Sequence, residues 1–159
     1  MSQEIRISCG GTEIYANTNP SLKSGIVIIL ENIEGWDDFA EEKREVVPKL
    51  GAEGDFVSSY AHRENKDLEI VMSITSRVDN VIAFRQTVST ILSQDEFIRL
   101  RLKRNIGNTP TIEEYYAYVR SAVLWKQEHV HHARVSIPLR TISPRKSISI
   151  NGGDAVKVL

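Results

Sequence analysis

Residues 54–104 read GDFVSSYAHRENKDLEIVMSITSRVDNVIAFRQTVSTILSQDEFIRLRLKR, and the periodicity of this stretch decides the fold class. From Asp67 to Ile74 polar residues alternate with Leu68, Ile70, Met72 and Ile74. From Phe97 to Lys103 the apolar Ile98, Leu100 and Leu102 alternate with Arg99, Arg101 and Lys103. A period of two turns one face of each segment to a core and the other to water, which predicts two half-buried strands. Between them Val78, Val81, Phe84 or Arg85, Val88, Ile91 and Leu92 recur at helical spacing, with Ser76 or Asp79 available as N-cap. The stretch therefore predicts a strand pair, one amphipathic helix and a further strand, with the helix lying on a sheet. No catalytic group stands out in it, so a structural role is expected over a chemical one.

Towards the N-terminus, Ile5–Cys9 alternates, Gly10-Gly11 interrupts, and Glu13–Tyr15 resumes, the pattern of a small hairpin, expected at a sheet edge. The β-branched run from Gly25 to Gly35 reads as a central strand covered on both faces. Residues 36–54, WDDFAEEKREVVPKLGAEG, are acid-rich and end in Pro48 and two glycines. They read as a solvated loop with a helical turn at Asp37–Arg44, or as a projecting arm. Towards the C-terminus, Asn105–Pro110 is a turn by composition. Residues 111–126 fit a helix by the spacing of Ile112, Tyr115, Tyr116, Val119 and Val123 and a strand by their aromatic and β-branched content, and periodicity does not choose. In Val130–Thr141, Ala133, Val135, Ile137 and Leu139 share a face, with Pro138 tolerable only at an edge or bulge. This segment is expected to pair with 115–126 as a long hairpin. Alternation returns around Ile148 and Ile150 before Gly152-Gly153.

A chain of 159 residues supports one well-covered core. Its 20 basic and 21 acidic residues leave a formal charge of −1, which argues against bulk nucleic-acid binding through a basic field. Cys9 is the single cysteine, so no intrachain disulfide or thiolate metal cluster forms, and synthesis in a reducing cytoplasm is expected. The longest apolar run, Ile26–Leu30, is too short to span a bilayer, and MSQEIRIS lacks the pattern of a secretion signal, so a soluble, unexported protein is expected.

Each candidate for chemistry has a plainer alternative. His129, His131 and His132 lack an accompanying carboxylate or cysteine at metal-site spacing and read as a hairpin turn. Asp37-Asp38 and Glu41-Glu42 read as a solvated face rather than as paired catalytic carboxylates. There is no phosphate loop and no dinucleotide fingerprint. Tyr115, Tyr116, Tyr118 and Trp125 with Arg120 read as sheet core rather than as a base-stacking platform. The expectation is a protein that is not an enzyme, with no metal and no cofactor.

With the strand, helix, strand order in place, the segment from Ile26 to Arg104 resembles the N-terminal domain of the distal tail protein (Dit) family of long-tailed bacteriophages. Ile33-Glu34-Gly35 stands where that family ends its first strand. Gly54-Asp55-Phe56 and Tyr60-Ala61-His62-Arg63 stand after the arm or belt, before the alternating strand at Leu68–Ile74. Tyr115-Tyr116 leading to Val135–Leu139 and Ser143-Pro144 looks like the closing hairpin. The resemblance implies a mainly β (α+β), β-sandwich-like domain with one helix packed on the sheet, related to tail-tube folds, over residues 1–145, with 146–159 a short C-terminal tail. It implies a structural, non-catalytic ring, hexameric in the family, that joins the tail tube to the tip or baseplate hub. The implied partners are further copies of the chain, the tail-tube protein, the hub or tip protein and the tape-measure protein. No membrane is implied, nucleic acid passes only in transit through the lumen, and the location is the virion tail tip after assembly in the host cytoplasm. Family members commonly add a carbohydrate-binding-like β domain after the position of Pro144, so host-sugar binding is not expected of this chain alone. Rival readings are a tail-tube or tube-completion protein and, from another class, a small ligand-binding β-barrel or an enzyme with dispersed catalytic residues.

Glu31–Glu45 holds seven acids and two bases, a net of −5, while Arg99, Arg101, Lys103 and Arg104 give +4. The expected subunit interface sets Trp36, Asp37, Asp38, Phe39, Glu41 and Glu42 of one copy against Arg99, Arg101 and Lys103 of the next.

Overall fold

The alternating segments become a sheet that closes on itself. The structure, a computed structural model, describes residues 3–18, 26–40, 42–48, 55–76, 81–93, 96–150 and 156–158, and of these gives only the backbone course for 42–48, 55–62 and 156–158. In chain order the elements are β1 (Glu4–Cys9), β2 (Thr12–Asn17), β3 (Ile26–Glu34), β4 (Glu42–Pro48), β5 (Asp55–Arg63), β6 (Asp67–Ser76), α1 (Ile82–Leu92), β7 (Ile98–Ile106), β8 (Thr109–Val119), β9 (Leu124–His129), β10 (His132–Thr141), β11 (Lys146–Ile150) and β12 (Val156–Val158). Ten strands form one sheet in the order β12-β11-β8-β7-β1-β2-β3-β6-β10-β9, and a further pairing of β8 with β10 closes it into a barrel. Among the described residues the protein is mainly β with one helix, as expected.

The closing seam explains the aromatic segment that periodicity left open. Residues 117–119 of β8 pair with 139–141 of β10, whereas 132–136 of β10 pair with β9. The expected long hairpin thus exists in two pieces, broken at 120–123. Pro138 sits where β10 changes partner. Its carbonyl accepts from the Arg120 amide at 3.2 Å, and having no N–H it cannot return that bond, which suits a position where the ladder switches from one partner to the other. On the opposite reach of β8, residues 111–114 pair with β11. β9 and the β11–β12 pair therefore leave the barrel as two flaps.

The core is the inward set of each strand: Ile5, Ile7, Ile14, Leu68, Ile70, Met72, Ile74, Leu100, Leu102, Ile137 and Leu139 are all buried. Burying each such side chain contributes about 1.5–3 kcal/mol. Val88 and Ile91 of α1 add to this core. The helix begins after Val81, which makes no side-chain cap; Ser76 instead ends β6, and Asp79 lies outside the described residues. A tertiary contact replaces the cap, since the Val81 amide donates to the Val130 carbonyl at 2.9 Å.

Three further expectations change. β1 is not an edge, because it pairs with both β2 and β7. β3 is not covered on both faces: Leu30 is its only buried residue, and it meets β2 through the single pair Asn17↔Ile29. Its β-branched run marks strand preference without specifying what covers it. Nor does the acid-rich region make a helical turn into Arg44, because β4 pairs with β5 as a separate two-stranded sheet inserted between β3 and β6. The arm reading is the one that fits.

Candidate functional site

The arm leaves the barrel through a tight root. Gly35 has φ +83°, and a Cβ there would lie 2.3 Å from the Asp67 carbonyl oxygen, so only glycine lets β3 turn against the start of β6. Trp36 then enters the core, 2 % exposed, with its ring edge-on to Tyr115 at 5.0 Å. Its carbonyl accepts from Lys66 Nζ at 2.8 Å, and the same ammonium bonds the Tyr115 hydroxyl at 2.8 Å. Burial, with Lys146 nearby, pulls the Lys66 ammonium down from its ordinary range. Burial and Glu113 push the Tyr115 phenol up.

Beside Trp36 lies a closed ion cluster. Glu113 is fully buried, on the core side of β8, and its carboxylate meets Arg104 Nε at 2.5 Å and Lys146 Nζ at 2.5 Å. Asp37 completes the group, accepting from Arg104 through Nη1 at 2.8 Å and Nη2 at 2.5 Å and from Lys146 at 3.1 Å. The Arg104 fork, aided by Lys146, holds the Asp37 carboxyl well below the usual carboxylate range, and Asp37 in turn raises the Arg104 guanidinium. Asp37 is thus tied directly to β7 and β11, and through their two cations it shares counter-charges with Glu113 of β8.

The outer face of the same two strands is charged but not closed. Arg99 holds Glu114 Oε2 with Nε at 2.9 Å and Nη2 at 2.8 Å. Arg101 reaches that oxygen only at 3.5 Å, and its Nε, shut off from water, makes no hydrogen bond. Register places Arg6 of β1 directly opposite Arg101 and Glu4 opposite Lys103.

Of the expected interface residues, the structure separates those it uses internally from those it leaves outside. Trp36 is buried in the core, and Asp37, its side chain 60 % exposed, is held in the ion cluster. Asp38 is exposed, and Phe39 is 82 % exposed, the most exposed large apolar side chain among the described residues. Glu42 opens β4, its side chain undescribed, and Glu41 lies outside the described residues. Arg99, Arg101 and Lys103 do share the outer face, but Arg104 points inward with Leu100 and Leu102. Sequence reasoning missed Lys66, Glu113, Glu114 and Lys146. The one available signal was Glu113-Glu114, since adjacent acids in a strand must send one carboxylate inward. His129 accepts from the His131 amide at 3.2 Å within the turn, and among the described residues no three or more His, Cys, Asp or Glu side chains are placed to share a metal. No described helix is long and apolar enough to cross a membrane.

No protein-family model and no curated protein matches the chain. Among solved structures, it is similar to a phage hub protein fold: the crystal structure of the Dit protein (gp 19.1) of phage SPP1, described as a paradigm of the hub adsorption apparatus in Gram-positive infecting phages. The TM-score is 0.56 at 10 % identity, over 90 % of this chain and 51 % of that one, so the chain spans about half the length of the structure it matches. The likeness shows a Dit-like fold.

Proposed function

We propose that the protein is a structural component of a phage tail tip, a ring that connects the tail tube to the tip or baseplate hub and carries out no catalysis. The observation that supports this is the Dit-like fold over nine-tenths of the chain. Residues 1–145 are the ring-forming unit in this reading, with the 146–159 tail contributing a strand beside β8. The partners are further copies of the chain, in a hexamer as in the family, together with the tail-tube protein, the hub or tip protein and the tape-measure protein, and the location is the virion tail. The open outer edges of β9 and β12, each paired on one side only among the described residues, favour self-association, since free strand edges invite another chain. The acid-rich arm of one copy is proposed to lie against the outer face of β7 in the next, through Asp38, Phe39, Glu41 and Glu42 on one side and Arg99, Arg101 and Lys103 on the other. Solution mass by light scattering and negative-stain images test the ring. Closed rings, alone or with tube and hub proteins, are expected; a monomer at high concentration that stays monomeric with those partners overturns the reading.

A further inference from the structure

The outer face of β1, β7 and β8 contains a notch of about 160 Å³ lined by Glu4, Arg6, Arg101, Lys103 and Ile112. Three cations face one carboxylate there, a formal +2. None of the three is well neutralised. Arg6 stands 3.6 Å from Glu4 and 4.0 Å from Glu13, and spreads over the Tyr15 ring at 5.4 Å. Arg101 is outcompeted for Glu114 by Arg99 and keeps a solvent-shielded Nε without an acceptor. Lys103 is exposed and has no ion pair among the described residues. Arg6 and Arg101 are also direct cross-strand partners, and like charges in that position repel unless an anion sits between them. On the inner face of the same strands every cation is matched, so the deficit is local to the notch.

We propose that this notch is an oxyanion-binding site whose occupant is a carboxylate from the acid-rich segment of a second copy of the chain. Two guanidinium groups and an ammonium around a small concavity suit a carboxylate or phosphate oxygen pair. Charge complementarity names the second copy: residues 38–45 carry Asp38, Glu41, Glu42 and Glu45 against Lys43 and Arg44, a net of −2 that matches the notch. Asp37 is excluded, because Arg104 and Lys146 already hold it. Arg6, from the opening hairpin, thereby joins the interface and Arg99 leaves its centre. The occupant, though not the site, rests on the ring reading.

Two measurements separate site from occupant. In thermal unfolding at fixed ionic strength, replacing chloride by inorganic phosphate at ten times its Kd is expected to raise the midpoint of the full chain by about 4 °C. Arg6→Gln with Arg101→Gln abolishes that rise, and Lys103→Gln, the milder variant, reduces it. No phosphate-specific rise, or an undiminished one in the double variant, overturns the site. In sedimentation velocity, Arg6→Glu with Arg101→Glu is expected to weaken self-association about tenfold or more, and adding Asp38→Lys with Glu42→Lys restores it. Unchanged assembly in the reversal, or no restoration, overturns the arm as occupant. A wild-type protein that remains monomeric while phosphate still stabilises it retracts the ring and the second-copy occupant together and leaves the oxyanion site standing.

Discussion

Glu113 and Glu114 are neighbours in β8 and both meet arginines of β7, yet the two carboxylates live in different solvents. Glu113 is wholly buried, between Arg104 and Lys146, whereas the Glu114 side chain is 20 % exposed and is shared unequally by Arg99 and Arg101. A buried carboxylate must be matched, because leaving one charge uncompensated in a poorly polarisable interior costs several kcal/mol. On the outer face water and salt screen the imbalance, so an unmatched arginine persists at little cost. The inner face is matched within the chain, and the outer face keeps Arg101 only loosely paired.

The comparison breaks first at Glu113. Glu113→Gln removes the buried one of the two carboxylates that Arg104 and Lys146 share, leaving the partly exposed Asp37 alone against both cations, and is expected to cost about 3–5 kcal/mol in urea unfolding, against about 0–1 kcal/mol for Glu114→Gln. Equal costs for the two variants would remove the distinction between the faces. The next largest effect is at the root of the arm. Gly35→Ala forces a Cβ onto the Asp67 carbonyl at positive φ and should destabilise by about 1–3 kcal/mol, with protease cleavage near the root rising in parallel. A neutral Gly35→Ala would mean that the root is not held as tightly as its geometry implies.

A smaller effect sharpens the comparison through pH. The Asp37 carboxyl is held low in the folded protein, so its contribution is fully present above the unfolded value near 3.9 and is lost as pH falls towards the folded value. Asp37→Asn should therefore lower stability by about 1 kcal/mol at pH 7, the side chain being 60 % exposed. That gap should hold down to about pH 5 and close in stronger acid; a gap that widens on acidification would contradict the assignment. The smallest effect is the outer pair. A double-mutant cycle on Arg99→Ala and Glu114→Ala should give a coupling of about 0.5 kcal/mol that fades between 0.1 and 1 M salt, while the Arg104–Glu113 coupling should persist.

Much of the fold was legible because alternation is a local property. Leu68 to Ile74 and Ile98 to Leu102 declare their buried face without reference to anything distant, and the helix over 82–92 declares its own by its spacing. Gly10-Gly11, at φ +58° and +85°, likewise announced a two-residue hairpin turn. The helical start was not legible, since the Val81 amide is satisfied by a carbonyl 49 residues away in the β9–β10 turn, a contact that no local pattern signals. The interface residues were legible only as a charge pattern.

By itself the sequence determined a mainly β chain with one helix, an outward basic row on the strand carrying Arg99, Arg101 and Lys103, and an acidic insertion before Gly54. Tertiary structure alone decided that the sheet closes at β8 and β10, that the insertion forms a separate two-stranded sheet, and that Trp36 is buried against Tyr115 while Asp37 pairs with Arg104 and Lys146. It also decided that Arg104 leaves the basic row and Arg6 enters it. The physical reason is range: side-chain alternation follows from adjacent residues, whereas the partner of a charge is set by which distant strands register beside it. Burial then decides whether that charge must be matched within the chain or can stay only loosely paired beside water.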